Sequence, residues 1–335
     1  MKPARWEGID LLRATAVIMV TFYHVFQRLP FPSKIITSIT DFGKYGVDLF
    51  FVISGFLIGS IFWKSLKNKE FVYSTFILKR ITRTFPSYFA MLIISYLGVY
   101  YFRSEKFDLK YLFFLQNYNI EIPFFSVSWS LCIEEHFYLI FPLLFMITNR
   151  FNITLLFAIP LIFLSLILRL NESSSHTYNF GYYTTATHLR LDGISFGFLF
   201  SFFETQYSIN TQKIIQKKLI IIAFLLISFL YFSKSYILSY FLVSLLFTFI
   251  LYITKNVNIK TTILKKTISL IAIPSYSIYI TQAVSLDISS RIYKLASYGN
   301  LFFIFLSFLS IIFFGYLFYF TIERKFMNMR KKYLG

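Results

Sequence analysis

The stretch Ile9–His24, IDLLRATAVIMVTFYH, decides the class of fold. Its middle is apolar, and its length approaches the roughly 20 residues that an α-helix needs to cross a bilayer. Yet it carries Asp10 and Arg13 at one end and His24 at the other. An ionisable side chain inside hydrocarbon costs several kcal/mol, so each one in a predicted span is a candidate functional residue. Snorkelling of Arg13 and an interfacial position for His24 are the structural alternatives.

The spacing of Arg13 and His24 predicts how their side chains are placed on the helix. They are eleven residues apart, which is close to three turns of α-helix. The two side chains are therefore predicted to share one helix face, about 16 Å apart along the axis. One end of this face would hold a cation and the other an imidazole.

The rest of the chain repeats the apolar character of this stretch. Of 335 residues, 57% are hydrophobic and 14% charged, with 45 Phe and a mean hydropathy of +0.64. Such a composition predicts an all-α polytopic membrane protein, a bundle of about ten transmembrane helices in a single domain over residues 1–335. The apolar segments are roughly 9–26, 46–63, 86–102, 127–147, 152–169, 189–203, 219–233, 236–254, 268–286 and 301–321.

The charge pattern predicts orientation and excludes some functions. The net charge is +18, but Lys and Arg lie between apolar runs, which is typical of membrane proteins rather than of nucleic-acid binders. About two thirds of the 33 Lys and Arg fall on the side of the N-terminus, which predicts both termini in the cytoplasm. The composition suits the cytoplasmic membrane of a bacterium. The single cysteine, Cys132, excludes an internal disulfide and a Cys-based zinc site, and we expect no metal.

Three later spans begin with ionisable residues on the same side as His24. Asp48 lies in GKYGVDLFFVISGFLIGS, whose Gly55 and Gly59 are spaced for close helix packing. Adjacent side chains point in different directions, so we expect only one of Glu134 and Glu135 to face the interior. Histidine and carboxylate suit general-base activation of a hydroxyl, but equally a proton relay in a transporter. This outer set comprises His24, Asp48, Glu134, His136, Arg190 and Asp192, the last two of which could also form a structural ion cluster.

A basic motif, FILKRITRTFPSY, spans Phe76–Tyr88 on the opposite side. Lys79, Arg80 and Arg83 are three to four residues apart, so they share one helix face. The motif is either a positive-inside anchor or an anion site for a phosphorylated cytoplasmic ligand.

Six stretches in order resemble the acyltransferase-3 family of integral membrane O-acyltransferases, from Ile9 to about Glu323. The resemblance implies a ten-helix bundle that moves an acyl group, usually acetyl, from cytoplasmic acyl-coenzyme A to a hydroxyl, typically on a cell-surface glycan. Acetyl-coenzyme A would be a donor substrate, not a permanently bound cofactor. Some relatives carry an SGNH-hydrolase-like domain. Since none is found here, we expect transfer within the bundle or a separate partner outside the membrane. The stretches are GIDLLRATAVIMVTFYH, GVDLFFVISGFLI, FILKRITRTFPSY, WSLCIEEHFYLIFPLL, THLRLDGISFG and SYSIYIT.

The resemblance also implies roles for residues. His24 matches the catalytic base, which we expect a carboxylate, Glu134 or Asp48, to orient. Two departures are His136, where Gln is usual, and Gln282, where a His often follows SYSIY. The catalytic set is His24, Glu134, Asp48 and Arg13; the donor-binding set is Arg80, Arg83, Lys79 and Arg13; the supporting set is Asp10, Trp129, Glu135, Arg190, Asp192 and Tyr279.

Alternatives remain open at this stage. Direct transfer is favoured, although Ser54, Ser130 and Cys132 are conceivable acyl carriers. The rival class is a glycan or small-solute transporter or flippase that uses the His and carboxylate cluster as a proton relay. The acceptor and the oligomeric state cannot be read from the residues.

Overall fold

The computed structural model describes residues 6–31, 33–103, 106–148, 151–172, 182–207, 220–228, 231, 236–296 and 299–334. Within these ranges the regular structure is helical and no strand occurs, so the all-α prediction is confirmed there. The helices are α1 (Glu7–Gln27), α2 (Lys34–Thr40), α3 (Gly46–Lys67), α4 (Tyr73–Arg103), α5 (Trp129–Thr148), α6 (Phe151–Glu172), the single turn α7 (Tyr182–Thr185), α8 (Asp192–Tyr207), α9 (220–228), α10 (Tyr236–Thr254), α11 (Thr262–Ala272), α12 (Ser275–Ala296), α13 (Asn300–Phe318) and α14 (Arg324–Leu334), with a π-helical turn, Tyr319–Glu323, between the last two.

Three helical stretches in the described part of the chain are long and apolar enough to cross a membrane: Glu7–Gln27, Lys34–Lys67 and Asn300–Tyr333. A fourth arises if α11 and α12, bent by 54° at a short break, form one span. Side chains such as Leu309 and Phe313 on α13 are more than half exposed, as bilayer-facing residues of a spanning helix are. The bundle of ten spans stays a prediction.

Two helix boundaries differ from those expected, and a proline lies in each of the two segments. α4 begins at Tyr73 and continues through Pro86, so the basic motif lies inside a helix of 31 residues rather than before one. A proline is tolerated in a spanning helix when neighbouring groups satisfy the freed backbone atoms. The predicted segment 268–286 is instead divided at Pro274, which cannot donate the next helical hydrogen bond.

Among the described helices, α3 and α8 pack most closely. A Cβ atom on Gly55 would lie 2.0 Å from the carbonyl oxygen of Ile194, and one on Gly197 would lie 2.0 Å from that of Val52. The two backbones approach where neither helix has a side chain, which confirms the packing role predicted for Gly55. α1 packs on α3 and α12, and Arg13 and His24 on α1 line two cavities to whose walls α3 and α12 also contribute.

Candidate active site: two cavities that meet at Val47 and Tyr279

The first cavity, here the histidine cavity, lies near the C-terminal end of α1. It encloses about 830 Å³ of empty space, part of it open to solvent. Its wall combines an imidazole, two cations and several aromatic rings, so it can hold a polar molecule against a base. The lining residues are Val20, Tyr23, His24, Lys44, Val47, Trp129, Thr184, Arg190, Tyr240 and Tyr279.

An amide, not a carboxylate, orients His24. Its Nδ1 lies 2.9 Å from Oε1 of Gln282 on α12. Nε2 of Gln282 in turn donates to Oγ1 of Thr21 over 2.8 Å, which leaves Oε1 as the acceptor facing the ring. With the amide in this orientation the imidazole carries its proton on Nδ1, and no described residue forms a hydrogen bond to its Nε2. The expected contact of His24 with Glu134 or Asp48 is therefore wrong, and the contact with Gln282 takes its place.

The second cavity, here the arginine cavity, holds about 720 Å³ of empty space towards the N-terminal end of α1. Arg13, Arg80 and Arg83 all line it, together with Ser54 and Glu134. Three guanidinium groups around one space suit a ligand with several phosphate oxygens. Val47 and Tyr279 line both cavities, so the two spaces meet there. The shared face predicted for α1 thus places Arg13 in one cavity and His24 in the other.

Both glutamates of the IEEH motif point into the bundle, so the expectation that only one does is wrong. Glu134 accepts from Oγ of Ser54 at 2.8 Å and pairs with Arg80 at 3.3 Å. Glu135 is 6% exposed and accepts from Oγ1 of Thr84 at 2.9 Å. Arg80 and Thr84 are one turn apart on α4, so one face of α4 reaches both carboxylates. The Arg80 guanidinium also lies 3.8 Å from the centre of the Tyr138 ring.

Two buried ion pairs connect the helices beside the histidine cavity. Arg190 donates to Asp48 at 2.7 Å, and Arg169 donates to Asp192 at 2.6 Å. All four side chains are at most 4% exposed. Arg190 and Asp192 therefore pair with residues of α3 and α6 rather than with each other. The Arg190 guanidinium also lies 3.7 Å from the centre of the Tyr240 ring, in the wall of the cavity.

Tyr279 forms part of the boundary between the cavities. Its hydroxyl lies 2.8 Å from Oγ of Ser130 and donates to the carbonyl oxygen of Val127 at 3.0 Å. These bonds fix the ring between the two spaces. Trp129, another predicted supporting residue, lies beside Arg190 in the histidine cavity.

Other predicted residues lie away from the two cavities. Lys79 is not among the described residues that line the arginine cavity. Its carbonyl oxygen accepts a hydrogen bond from Arg330 on α14. Asp10 is buried on α1 without lining either space. His136 bonds to Oγ1 of Thr187 at 2.7 Å, and Cys132 is buried in the core.

Sequence reasoning missed several polar residues of the site. Glu323, in the π-helical turn, is 3% exposed, accepts from Oγ of Ser277 at 2.5 Å and lies close enough to Arg13 for their charges to interact. Arg330 similarly adds a cation near Arg83. Arg169 and Glu323 could have been found as ionisable residues in apolar runs. Gln282 stands out in the sequence only as a departure from the family motif, which does not predict its contact with His24, and Arg330 lies in a basic stretch outside the apolar runs. Among the described residues no group of three or more His, Cys, Asp or Glu side chains could hold a metal ion.

Comparison with known proteins gives the family. A family model described as an acyltransferase domain matches residues 6–320. O-acetyltransferase OatA of Staphylococcus aureus (strain NCTC 8325 / PS 47) is 29% identical over 253 residues, which cover 65% of this chain and 38% of that protein. A second S. aureus protein (strain COL), named "Putative O-acetyltransferase SACOL0978", is 29% identical over 222 residues, or 58% of this chain and 34% of its own length.

The matched region thus spans little more than a third of these relatives. No solved structure matches the chain. Because the family model covers nearly all of it, the chain belongs to the acyltransferase-3 family, as the six ordered motifs predict.

Proposed function

We propose that this member of the acyltransferase-3 family is a membrane O-acetyltransferase that moves an acetyl group from acetyl-coenzyme A to a hydroxyl of a cell-surface polysaccharide or its lipid-linked precursor. The observation that carries the proposal is the pair of cavities that meet at Val47 and Tyr279, one lined by three arginines and the other by a histidine whose Nε2 has no hydrogen-bond partner among the described residues. The S. aureus relatives carry O-acetyltransferase in their names. We place the arginine cavity on the cytoplasmic side, in accord with the positive-inside distribution of Lys and Arg.

The donor would enter from the cytoplasm. Arg13 and Arg83 bind phosphate oxygens of coenzyme A through charge-assisted hydrogen bonds. Arg80 is held by Glu134 and by the Tyr138 ring, so it shapes the wall and adds positive potential. The thioester then reaches the boundary at Tyr279.

The acceptor would enter the histidine cavity from the other side. Nε2 of His24 takes the proton of the acceptor hydroxyl as its oxygen attacks the thioester carbon. The new C–O bond forms, the C–S bond breaks, and the coenzyme A sulfur leaves as a thiolate that the imidazolium can protonate. Both substrates must be present together, because direct transfer requires the reacting atoms to lie about 3–3.5 Å apart.

Binding of acetyl-coenzyme A to the purified, detergent-solubilised protein tests the donor side. We expect Arg83→Ala to weaken the affinity at least tenfold, since a hydrogen bond to a charged group contributes about 1.5–3 kcal/mol. Arg291→Ala is the matched control, because Arg291 lies on α12 outside both cavities and should not change binding.

His24→Ala separates binding from chemistry. It should bind acetyl-coenzyme A like the wild type and lose transfer of the acetyl group. Folded wild-type protein that did not bind acetyl-coenzyme A would contradict the proposal and favour a transporter with His24 in a proton relay.

A further inference from the structure

A third cavity, here the lateral groove, lies between α4 and α12 on the surface of the bundle. It holds about 1620 Å³ of empty space, more than either cavity of the site. Ile94, Val99, Val284, Ile288 and Ile292 are among the side chains of its apolar wall. Ile94 and Ile292 remain more than 40% exposed, so this apolar wall lies open on the outer surface of the helix bundle.

The rim of the groove is basic. Arg28, Arg291 and Lys294 line it together with a single carboxylate, Asp287. Asp287, Arg291 and Lys294 are spaced along one face of α12, and Arg28 pairs with Asp287 at 2.6 Å. Among the described residues that line the groove, three cations thus stand against one carboxylate, and Arg28 lies one turn of α1 beyond His24.

Two features of α4 point to an occupant of the groove. Ser95 is 4% exposed, lines the groove, and its hydroxyl has no hydrogen-bond partner among the described residues. Gly98, one turn on from Ile94, also lines it, and a Cβ atom added there would meet nothing within 4 Å. Gly98 therefore leaves room beside α4 for part of a bound molecule.

We propose that the lateral groove is a binding site for one anionic phospholipid, whose phosphate lies against Arg28, Arg291 and Lys294 and whose chain lies along α4 past Gly98. A soluble anion would use the rim but leave the apolar wall exposed. A zwitterionic lipid would fill the wall but gain less from the excess positive charge. This site is separate from the transfer reaction proposed above and does not depend on it.

Native mass spectrometry of the full chain, delipidated and then titrated with phosphatidylglycerol, tests the proposal. We expect one tightly retained phosphatidylglycerol per chain, with phosphatidylcholine bound at least tenfold more weakly. Gly98→Leu should abolish retention, because the leucine side chain enters the space of the lipid chain. Gly299→Leu is the matched control, since a Cβ there also meets nothing within 4 Å but lies outside the groove.

The charges give a second, independent variant. Arg291→Gln with Lys294→Gln should weaken phosphatidylglycerol binding about tenfold, because each basic residue near a membrane surface attracts anionic lipid. Retention that is unchanged in both Gly98→Leu and the double variant overturns the proposal. So does equal retention of phosphatidylcholine, or displacement of the lipid by glycerol 3-phosphate at similar concentration, which would mark a site for a soluble anion.

Discussion

Replacing Gln282 with leucine should slow transfer without removing the base. The variant keeps the volume of the side chain but removes the acceptor at 2.9 Å from Nδ1 of His24. A net hydrogen bond contributes about 0.5–1.5 kcal/mol, so loss of the fixed tautomer should lower kcat by about two- to twelvefold. His24→Ala removes the base itself and should cost about 10²–10⁴. Gln282→Glu offers a carboxylate oxygen at the same place and should recover most of the rate.

The assay is transfer of radiolabelled acetyl from acetyl-coenzyme A into alkali-labile ester in membranes of the native host. The KM for acetyl-coenzyme A should stay constant across the three variants, because Gln282 lies outside the wall of the arginine cavity. The melting temperature in detergent checks that each variant is folded. A folded Gln282→Leu variant with kcat within twofold of the wild type would refute the role assigned to the amide.

Three further predictions concern the interior. Asp48→Ala leaves a buried arginine without its carboxylate and should reduce the free energy of unfolding by about 3–5 kcal/mol, measured by thermal melting, whereas Asp41→Ala removes a half-exposed carboxylate that pairs with Lys44 and should cost less than about 1 kcal/mol. Equal melting temperatures would contradict this. Gly55→Leu should prevent α3 and α8 from packing and lower the yield of folded protein, while Gly98→Leu, in open space, should not. Ser54→Ala should keep transfer within about tenfold, since direct transfer loses only the hydrogen bond to a carboxylate; complete loss would indicate an acyl-enzyme on Ser54.

Helical periodicity explains which parts of the site could be predicted. The positions of Arg13 and His24 follow from spacing within one helix, because eleven residues complete about three turns whatever the helix packs against. The partner of His24 does not follow in this way, since it lies 258 residues away on α12. A neutral amide in an apolar helix gives no charge signal, so the sequence favours the carboxylates Glu134 and Asp48, which the structure pairs with Arg80 and Arg190.

Glu134 and Glu135 show a second limit of prediction from the sequence. Adjacent residues on a helix do point in different directions, and that reasoning is sound for an isolated helix. In the bundle, α4 packs beside α5 so that Arg80 reaches Glu134 and Thr84 reaches Glu135. The inward position of both carboxylates thus depends on a neighbouring helix whose register cannot be read from the sequence of α5 alone.

The geometry of α12 connects these observations. Tyr279 and Gln282 are three residues apart, so they lie on neighbouring positions of one helix face. Tyr279 lies between the two cavities, and Gln282 fixes the tautomer of His24. The break at Pro274 frees this helix from the axis of α11, from which it departs by 54°. One helix therefore carries both the residue between the two cavities and the amide that orients the base.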